Sequence, residues 1–228
     1  MKYMATTFFA LASTSGLYAA ENEDIKRLTT AAETVTEIQA TPDKGIPTDL
    51  FHKAHCIVTI PGMKKAGFIV TGKYGRGYAY CRNPAGAGWV GPAGMRIEGG
   101  GVGLQAGGSE TDVIMLVMSR KGVQGLLKSK FTLGGEASIA AGPVGRDASA
   151  QTDATMKADI LSWSRSRGVF GGLSLQGGTL RADEDANKSL YSTKVTTEDI
   201  LTGKTKSPIP SDEFAKALGI HGGMQQAN

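Results

Sequence analysis

The chain has 228 residues, with 25 Lys and Arg against 21 Asp and Glu, which gives a formal net charge of +4. This excess is too small for the dense basic face of a nucleic-acid-binding protein, and the length suits one domain with a sizeable core. Glycine occurs 32 times, interleaved with apolar residues. Because glycine in a strand marks a bend, a bulge or a close approach of two backbones, the composition predicts closely packed backbone and small side chains.

The N-terminus has the order of a secretory signal peptide. Lys2 precedes a short apolar stretch, small residues follow at Ala19 and Ala20, and the sequence then turns acidic. This order predicts a signal peptide over residues 1–20 and a single mature domain over 21–228. The apolar stretch is too short to span a membrane. The protein is therefore expected to be exported, periplasmic or secreted, and peripheral to the membrane, the alternative being an uncleaved or disordered N-terminus.

Residues 24–40 have the period of an amphipathic helix, with apolar side chains three and four positions apart and polar ones between them. A second, short helix is predicted over 47–54, because Pro47 occupies a favoured first helical position. Ser119 predicts the N-cap of a further helix that extends to residue 129.

The chain then changes to β-branched and aromatic runs separated by glycine, which is typical of strands. Short helices follow near the C-terminus, so the fold class is α+β: a strongly bent antiparallel β-sheet or barrel with helices at the N- and C-terminal ends. The segment 147–159 is polar and indicates a loop or edge strand. Strands are predicted at 56–60, 66–72, 77–81, 89–90, 95–104, 112–118, 131–133 and 137–139, a hairpin at 160–167 and 169–180, and C-terminal helices at 183–191, 197–201 and 211–218.

The two cysteines are Cys56 and Cys81. In an exported protein they can form a disulfide, which would close a loop of about 25 residues and stabilise the fold by about 3.5 kcal/mol in the chain-entropy model. Two buried free thiols are the alternative, since geometry decides between them.

Residue types that carry catalysis do not form a recognisable set. His52 and His55 stand three apart beside Cys56, but no further ligand lies nearby in sequence to complete a metal site. No G-x-S-x-G nucleophile motif occurs, and the glycine-rich segments 72–77 and 99–103 lack the spacing of nucleotide-binding loops. We therefore expect no catalytic residue, no metal and no cofactor.

Several motifs along residues 24–220 occur together and in a fixed order. They include KAGFIVTG at 65–72, AGPVGR at 141–146, SRSRGVFGG at 164–172 and ANKSLY at 186–191. In these motifs the chain resembles the SYLF domain, found in bacteria and in eukaryotic endocytic and cortical-actin proteins. The resemblance implies binding of phosphoinositides and other acidic phospholipids, with an N-terminal amphipathic helix that engages the membrane. Some eukaryotic members also bind and bundle actin.

The function implied by the resemblance is non-enzymatic binding of anionic phospholipids at a membrane surface in the cell envelope. Export favours an acidic bacterial lipid, such as phosphatidylglycerol or cardiolipin, over phosphoinositides as the partner. Two alternatives stay open: an envelope protein–protein interaction module with incidental lipid affinity, and a lipid-modifying enzyme. No nucleic-acid partner is expected.

The residues expected to contact the membrane fall into two groups. Apolar side chains of the first helix would enter the interface, unless that face packs on the sheet; these are Ile25, Leu28, Val35 and Ile38. Basic side chains would meet lipid phosphates; these are Lys26, Arg27, Lys64, Lys65, Lys73, Arg76, Arg120, Lys121, Lys128 and Lys130.

Overall fold

The computed structural model describes residues 15–40, 45–67, 70–86, 88–102, 107–143, 157–166 and 169–207. Most of the polar segment 147–159 and the whole of the predicted helix 211–218 lie outside these residues. The part of the chain that is described confirms the predicted α+β class, with one curled sheet and helices before and after it.

The described helices lie close to their predicted positions. Ser119 caps the third of them as predicted, since its side chain accepts a hydrogen bond from the N–H of Gly122 at 3.1 Å. The first helix begins earlier than its apolar period indicates, so the predicted cleavage point at Ala19 or Ala20 falls within it. The helices are α1 (Ser15–Gln39), α2 (Thr48–Lys53), α3 (Arg120–Leu127), α4 (Glu184–Tyr191) and α5 (Thr197–Leu201). Among the described residues, none of them combines the length and the apolar character that crossing a membrane requires.

Nine described strands form one sheet, in the order β5-β9-β3-β2-β1-β4-β7-β6, with β8 paired to β7. All the pairs are antiparallel except β6 with β7, which is parallel. The sheet is therefore mixed and not wholly antiparallel as predicted. The strands are β1 (Cys56–Gly67), β2 (Val70–Arg82), β3 (Trp89–Val102), β4 (Gly107–Val117), β5 (Lys130–Thr132), β6 (Ile139–Ala141), β7 (Ile160–Ser166), β8 (Val169–Gly172) and β9 (Thr179–Ala182).

The first hairpin differs from its prediction. Pro61 and Gly62 were expected to end a strand, but both lie within β1, where the pairing register shifts between Thr59 and Lys64. Gly62 takes a φ of +57° there, the left-handed conformation that glycine adopts at a bulge. The predicted end of the first strand at residue 60 was therefore wrong, and Lys64, Lys65 and Lys73 lie within β1 and β2.

The alternation of side chains divides β2, β3 and β9 into two faces. The inner face carries Met95, Ile97 and Leu180, all fully buried. The outer face carries Tyr78 and Arg96, and α1 packs over its β1–β2 part. Functional side chains must lie on the outer face or at the open ends of the strands, because the inner face is filled.

Of the two alternatives for the cysteines, the disulfide is present: it joins Cys56 of β1 to Cys81 of β2, which are direct neighbours in the antiparallel ladder. The bond joins the starting end of β1 to the finishing end of β2. It therefore fixes the open end of the hairpin, away from the end near Lys65 at which β1 connects to β2.

One glycine of β2 lies where two backbones approach closely. A Cβ on Gly77 would stand 1.9 Å from the carbonyl oxygen of Thr59 on β1. The predicted role of glycine as a spacer for backbone contact holds at this position. Gly72, on the same strand, has no such contact, since a Cβ added there would have no atom within 4 Å.

We expect Gly77→Ala to lower the free energy of unfolding by about 3 kcal/mol, because the backbone of β1 must move to relieve the contact. Gly72→Ala should change it by less than about 0.5 kcal/mol. Urea unfolding followed by tryptophan fluorescence measures both. Equal effects of the two substitutions would contradict the assigned close approach.

Candidate functional site

Helix α1 packs its apolar face on the outer face of the sheet. Leu28, Val35 and Ile38 are 6%, 0% and 1% exposed, whereas Ile25 is 41% exposed. Three of the four residues predicted to enter a membrane therefore contact the protein core in this conformation. Their insertion into a bilayer requires that α1 first leave the sheet.

A buried polar anchor holds the N-terminal half of α1. Asp24 is 4% exposed, and its carboxylate accepts a hydrogen bond from Arg27 at 2.5 Å. The Tyr78 hydroxyl of β2 donates to the backbone oxygen of Asp24 at 2.8 Å. Burial, followed by the charge of Asp24, raises the pKa of Tyr78, so the phenol stays protonated as a donor. Arg27 is thus engaged within the protein, while Lys26 is exposed.

A second anchor holds the C-terminal end of α1. Arg165 of β7 donates to the carboxylate of Asp112 on β4 at 2.6 and 2.8 Å, and it also pairs with Glu37 of α1. The guanidinium therefore joins two strands and the helix. Because it is tied to two carboxylates, Arg165 serves the packing of α1.

Two predicted lysines stand opposite each other near the closed end of the first hairpin, where β1 connects to β2. Lys65 of β1 pairs with Lys73 of β2 in the ladder, so their side chains lie on one face. The neighbour of Lys73 on its other side is Gly99 of β3, over which the Lys73 side chain lies. Burial, and then the charge of Lys65, lowers the pKa of Lys73. We call Lys65 and Lys73 the lysine pair.

Lys64 lies on the opposite face from the lysine pair. It stands between Glu110 of β4 and Tyr74 of β2 in the ladder, and it is exposed. Its charge has a carboxylate within the same cross-strand row, and this carboxylate reduces the contribution of Lys64 to a positive surface.

Four basic side chains form a row across the outer face of the sheet. Arg76 of β2 stands opposite Arg96 of β3, Arg96 opposite Arg181 of β9, and Arg181 opposite Lys130 of β5. Residues directly opposite in antiparallel strands have Cβ atoms about 4.5–5.5 Å apart. We call these four residues the basic row.

Arg76 is the member of the basic row nearest β1, and we call its position the inner end of the row. A buried carboxylate neutralises its charge. Arg76 binds both oxygens of Asp183, with Nη2 at 3.0 Å from Oδ1. This ion pair raises the pKa of Arg76. Asp183 is also the N-cap of α4, since it accepts a hydrogen bond from the Ala186 N–H. Arg76, which was predicted to bind lipid, therefore couples the sheet to α4.

A cavity of about 420 Å³ lies beside the inner end of the basic row, between α1, the sheet and α4. Its arginines are Arg27, Arg76 and Arg96. Carboxylates line it as well, so it is not a uniformly positive pocket; the acidic lining residues are Glu23, Asp24, Asp183 and Asp185.

The remaining predicted basic residues lie around α3. Lys121 stands 3.9 Å from Asp159, and Lys128 pairs with Glu136 at 3.0 Å. Arg120 lines a second cavity, of about 440 Å³, beside the disulfide. Of this group only Lys130 joins the basic row, so the structure divides the predicted residues among α1, the hairpin, the row and α3.

Sequence reasoning missed Arg96 and Arg181, the two central members of the basic row. Each is the single basic residue of its own strand, and the two residues lie 85 positions apart in the sequence. Only the pairing of β3 with β9 brings them together. A search for basic residues that lie close together in the sequence therefore could not find them.

A family model described as Ysc84, Las17-binding protein actin regulator, matches residues 98–219 of this chain. The human SH3 domain-containing YSC84-like protein 1 is 32% identical over 178 residues, which are 78% of this chain and 52% of that protein. Protein YSC84 of Saccharomyces cerevisiae is 31% identical over 179 residues, 77% of this chain and 38% of that protein. An SH3 domain-containing protein of Schizosaccharomyces pombe is 36% identical over 176 residues, which are 76% of this chain and 40% of that protein. The chain thus spans about half of these relatives or less.

We expect Tyr78→Phe to weaken the attachment of α1, because the buried backbone oxygen of Asp24 loses its donor. The loss should be about 1 kcal/mol, with roughly fivefold faster amide hydrogen exchange in α1. Tyr74→Phe is the matched control, since Tyr74 is 48% exposed. Unchanged exchange in α1 of the Tyr78 variant would show that this hydroxyl does not hold the helix.

Proposed function

Because the chain belongs to the Ysc84 family, whose domain is also called SYLF, we propose that it binds anionic phospholipids at a membrane surface of the cell envelope without catalysing a reaction. The observation that carries the proposal is the lysine pair. Lys65 and Lys73 are direct cross-strand neighbours, so two positive charges lie on one face of the hairpin. A lipid phosphate would be attracted to both of them.

The energy of such binding is mainly electrostatic. A basic residue near an acidic membrane surface contributes about 1 kcal/mol, and the attraction falls off within a Debye length. At that value the two residues of the lysine pair would contribute about 2 kcal/mol, so the attachment would be weak and reversible. Binding should therefore weaken as salt is added.

Helix α1 supplies a second contribution to membrane binding. Its exposed Ile25 and Lys26 are available at the surface while the helix stays packed. Release of α1 would add Leu28, Val35 and Ile38, which are now buried. We propose that the protein first attaches electrostatically while α1 is still packed on the sheet. Helix α1 is then released, and its apolar face inserts into the bilayer.

The envelope location in this proposal is supported by two features of the chain. The first is the signal-peptide order of residues 1–20. The second is the bond between Cys56 and Cys81, since structural disulfides persist in oxidising compartments. An envelope location favours acidic glycerophospholipids as ligands.

We expect the double variant Lys65→Gln, Lys73→Gln to bind acidic vesicles roughly 30-fold more weakly, which corresponds to about 1 kcal/mol for each lost charge. The measurement is flotation with phosphatidylcholine vesicles that contain phosphatidylglycerol, at low and high salt. The folded variant should be at least as stable as the wild type, because it loses a like-charge contact.

The matched control is Lys194→Gln, Lys206→Gln, which removes the same charge from exposed positions. Equal loss in both double variants would leave only a general effect of net charge. Recovery of the wild type on neutral vesicles at the same level would refute electrostatic binding altogether.

A protein partner is the second candidate function. It is favoured by one observation, that the description of the matching family names Las17 binding. This alternative predicts one stoichiometric partner that stays bound in high salt, together with no flotation on acidic vesicles. The two functions are thus separated by the flotation experiment.

A further inference from the structure

The cavity beside the disulfide lies between α3, α5 and the open end of the first hairpin. Its volume is about 440 Å³, a size that is usual for small-ligand sites. One face of α3 forms a wall of it, because Arg120, Val123, Gln124 and Leu127 follow each other at helical spacing. We call it the disulfide cavity.

The lining of the disulfide cavity combines apolar surface with two arginines, Arg82 and Arg120. The apolar part includes the disulfide and the side chains of Val123, Leu127 and Leu201. None of the described residues that line this cavity is acidic. It differs in this respect from the cavity beside the basic row, which carboxylates line as well.

Arg82 is held in position by three contacts. Its Nε–H donates to the carbonyl oxygen of Ala54 at 3.1 Å, and an N–H of Nη2 donates to that of His52 at 2.8 Å. The guanidinium also lies 4.6 Å from the centre of the Trp89 ring, which is a cation–π contact. One edge and one face of the guanidinium are therefore occupied. The edge formed by Nη1 and the second N–H of Nη2 has no partner among the described residues.

Neither arginine of the disulfide cavity pairs with a carboxylate in the part of the chain that the structure describes. The partners of half-buried Arg82 are two carbonyl oxygens and an aromatic ring, and Arg120 is exposed. Burial lowers the pKa of Arg82, because its charge is partly withdrawn from water. Charges that leave water are normally paired, so the free edge of Arg82 is a preformed place for an anion.

A carboxylate carried by an apolar group matches both parts of the lining. Its two oxygens accept two parallel hydrogen bonds from one edge of a guanidinium. Its single negative charge balances Arg82, and exposed Arg120 adds a weaker attraction. The apolar remainder of the ligand would cover the disulfide and the apolar wall of α3, which removes their surface from water.

We propose that the disulfide cavity binds an apolar carboxylate, held by the free edge of Arg82 and by Arg120 and packed against α3. The carboxylate belongs either to a free organic acid or to the C-terminal residue of a polypeptide. The site is separate from the proposed lipid contact, because the lysine pair lies near the other end of the first hairpin.

Calorimetry with 3-phenylpropionate tests the site. The matched compound 3-phenylpropionamide keeps the shape and lacks the charge, and acetate keeps the charge and lacks the apolar part. Phenyl phosphate tests whether a phosphate is the better anion. A tripeptide that ends in phenylalanine, with a free or an amidated C-terminus, distinguishes the two sources of the carboxylate.

The main variant is Gln124→Glu, which places a carboxylate in the cavity one helical turn from Arg120. Gln124 is exposed, so the fold should tolerate the change. Gln176→Glu is the matched control, since Gln176 is also exposed and does not line the cavity. Arg82→Lys keeps the charge and removes the planar fork. Its urea midpoint is measured as well, because Arg82 also binds the backbone.

We expect 3-phenylpropionate to bind the wild type and Gln176→Glu equally. Binding should be roughly tenfold weaker in Gln124→Glu and in Arg82→Lys, the effect of losing a hydrogen bond between charged groups. The amide and acetate should also bind the wild type roughly tenfold more weakly than 3-phenylpropionate does. Tighter binding of the free-acid peptide than of 3-phenylpropionate would assign the ligand to a polypeptide C-terminus, and the reverse order would assign it to a free acid.

Three outcomes overturn the site: no binding of either acid, equal binding of an acid and its amide, or equal affinity in the wild type and Gln124→Glu. Tighter binding of phenyl phosphate than of 3-phenylpropionate would overturn a carboxylate as the ligand. Flotation on acidic vesicles should be the same for Gln124→Glu and Gln176→Glu, and a loss in Gln124→Glu alone would contradict the separation of the two sites. Failure of the wild type to float would refute the proposed function and leave this site standing.

Discussion

The pairing of β3 with β2 and β9 determines which side chains are buried and which meet solvent. In this register Met95 and Ile97 point to the inner face, and Arg96 between them points outward. A slip by one residue would exchange the faces and bring a guanidinium group into the core, at a cost of several kcal/mol, which is a large part of the stability of a domain. Burial of the apolar residues therefore specifies the register.

The same register explains two other features. Gly75 and Gly77 stand opposite Ile97 and Met95, where a side chain on β2 would collide with β1. The same pairing aligns three outer-face side chains, those of Arg76, Arg96 and Arg181, because it aligns the inner-face residues next to them in each strand. The glycine content and the basic row thus have a common origin in one pattern of strand pairing.

When the competing environment is a bilayer and not water, the polar anchors of α1 matter more for its attachment than its apolar face does. Each buried apolar side chain contributes about 1.5–3 kcal/mol relative to water, but a bilayer offers a comparable apolar environment. Transfer of Leu28, Val35 and Ile38 from protein to lipid is then close to neutral. The anchors formed by Asp24 with Tyr78, and by Arg165 with Glu37, are lost on transfer. In the proposed membrane binding, these anchors would set the free energy that a bilayer must supply to release the helix.

The sequence was sufficient to predict the helices, most of the strands and the α+β class, because these depend on local periodicity and capping. It failed at Pro61 and Gly62, since the same dipeptide suits a turn and a bulge, and only pairing with β4 selects the bulge. The amphipathic helix was found, but whether its apolar face packs or stays free depends on the tertiary structure. Lys65 and Lys73 were each named as lipid contacts, yet their direct opposition depends on the hairpin register.

The modest net charge of +4 conceals how strongly charge is concentrated by the fold. Carboxylates balance Arg27, Arg76 and Arg165 individually, so these arginines contribute to packing and little to the external field. Like charges that stand directly opposite each other occur at the lysine pair and along the basic row. Each direct contact between like charges lowers stability, so packing alone does not account for these positions. The anion binding proposed for the lysine pair would offset this cost, which is the physical reason for that proposal.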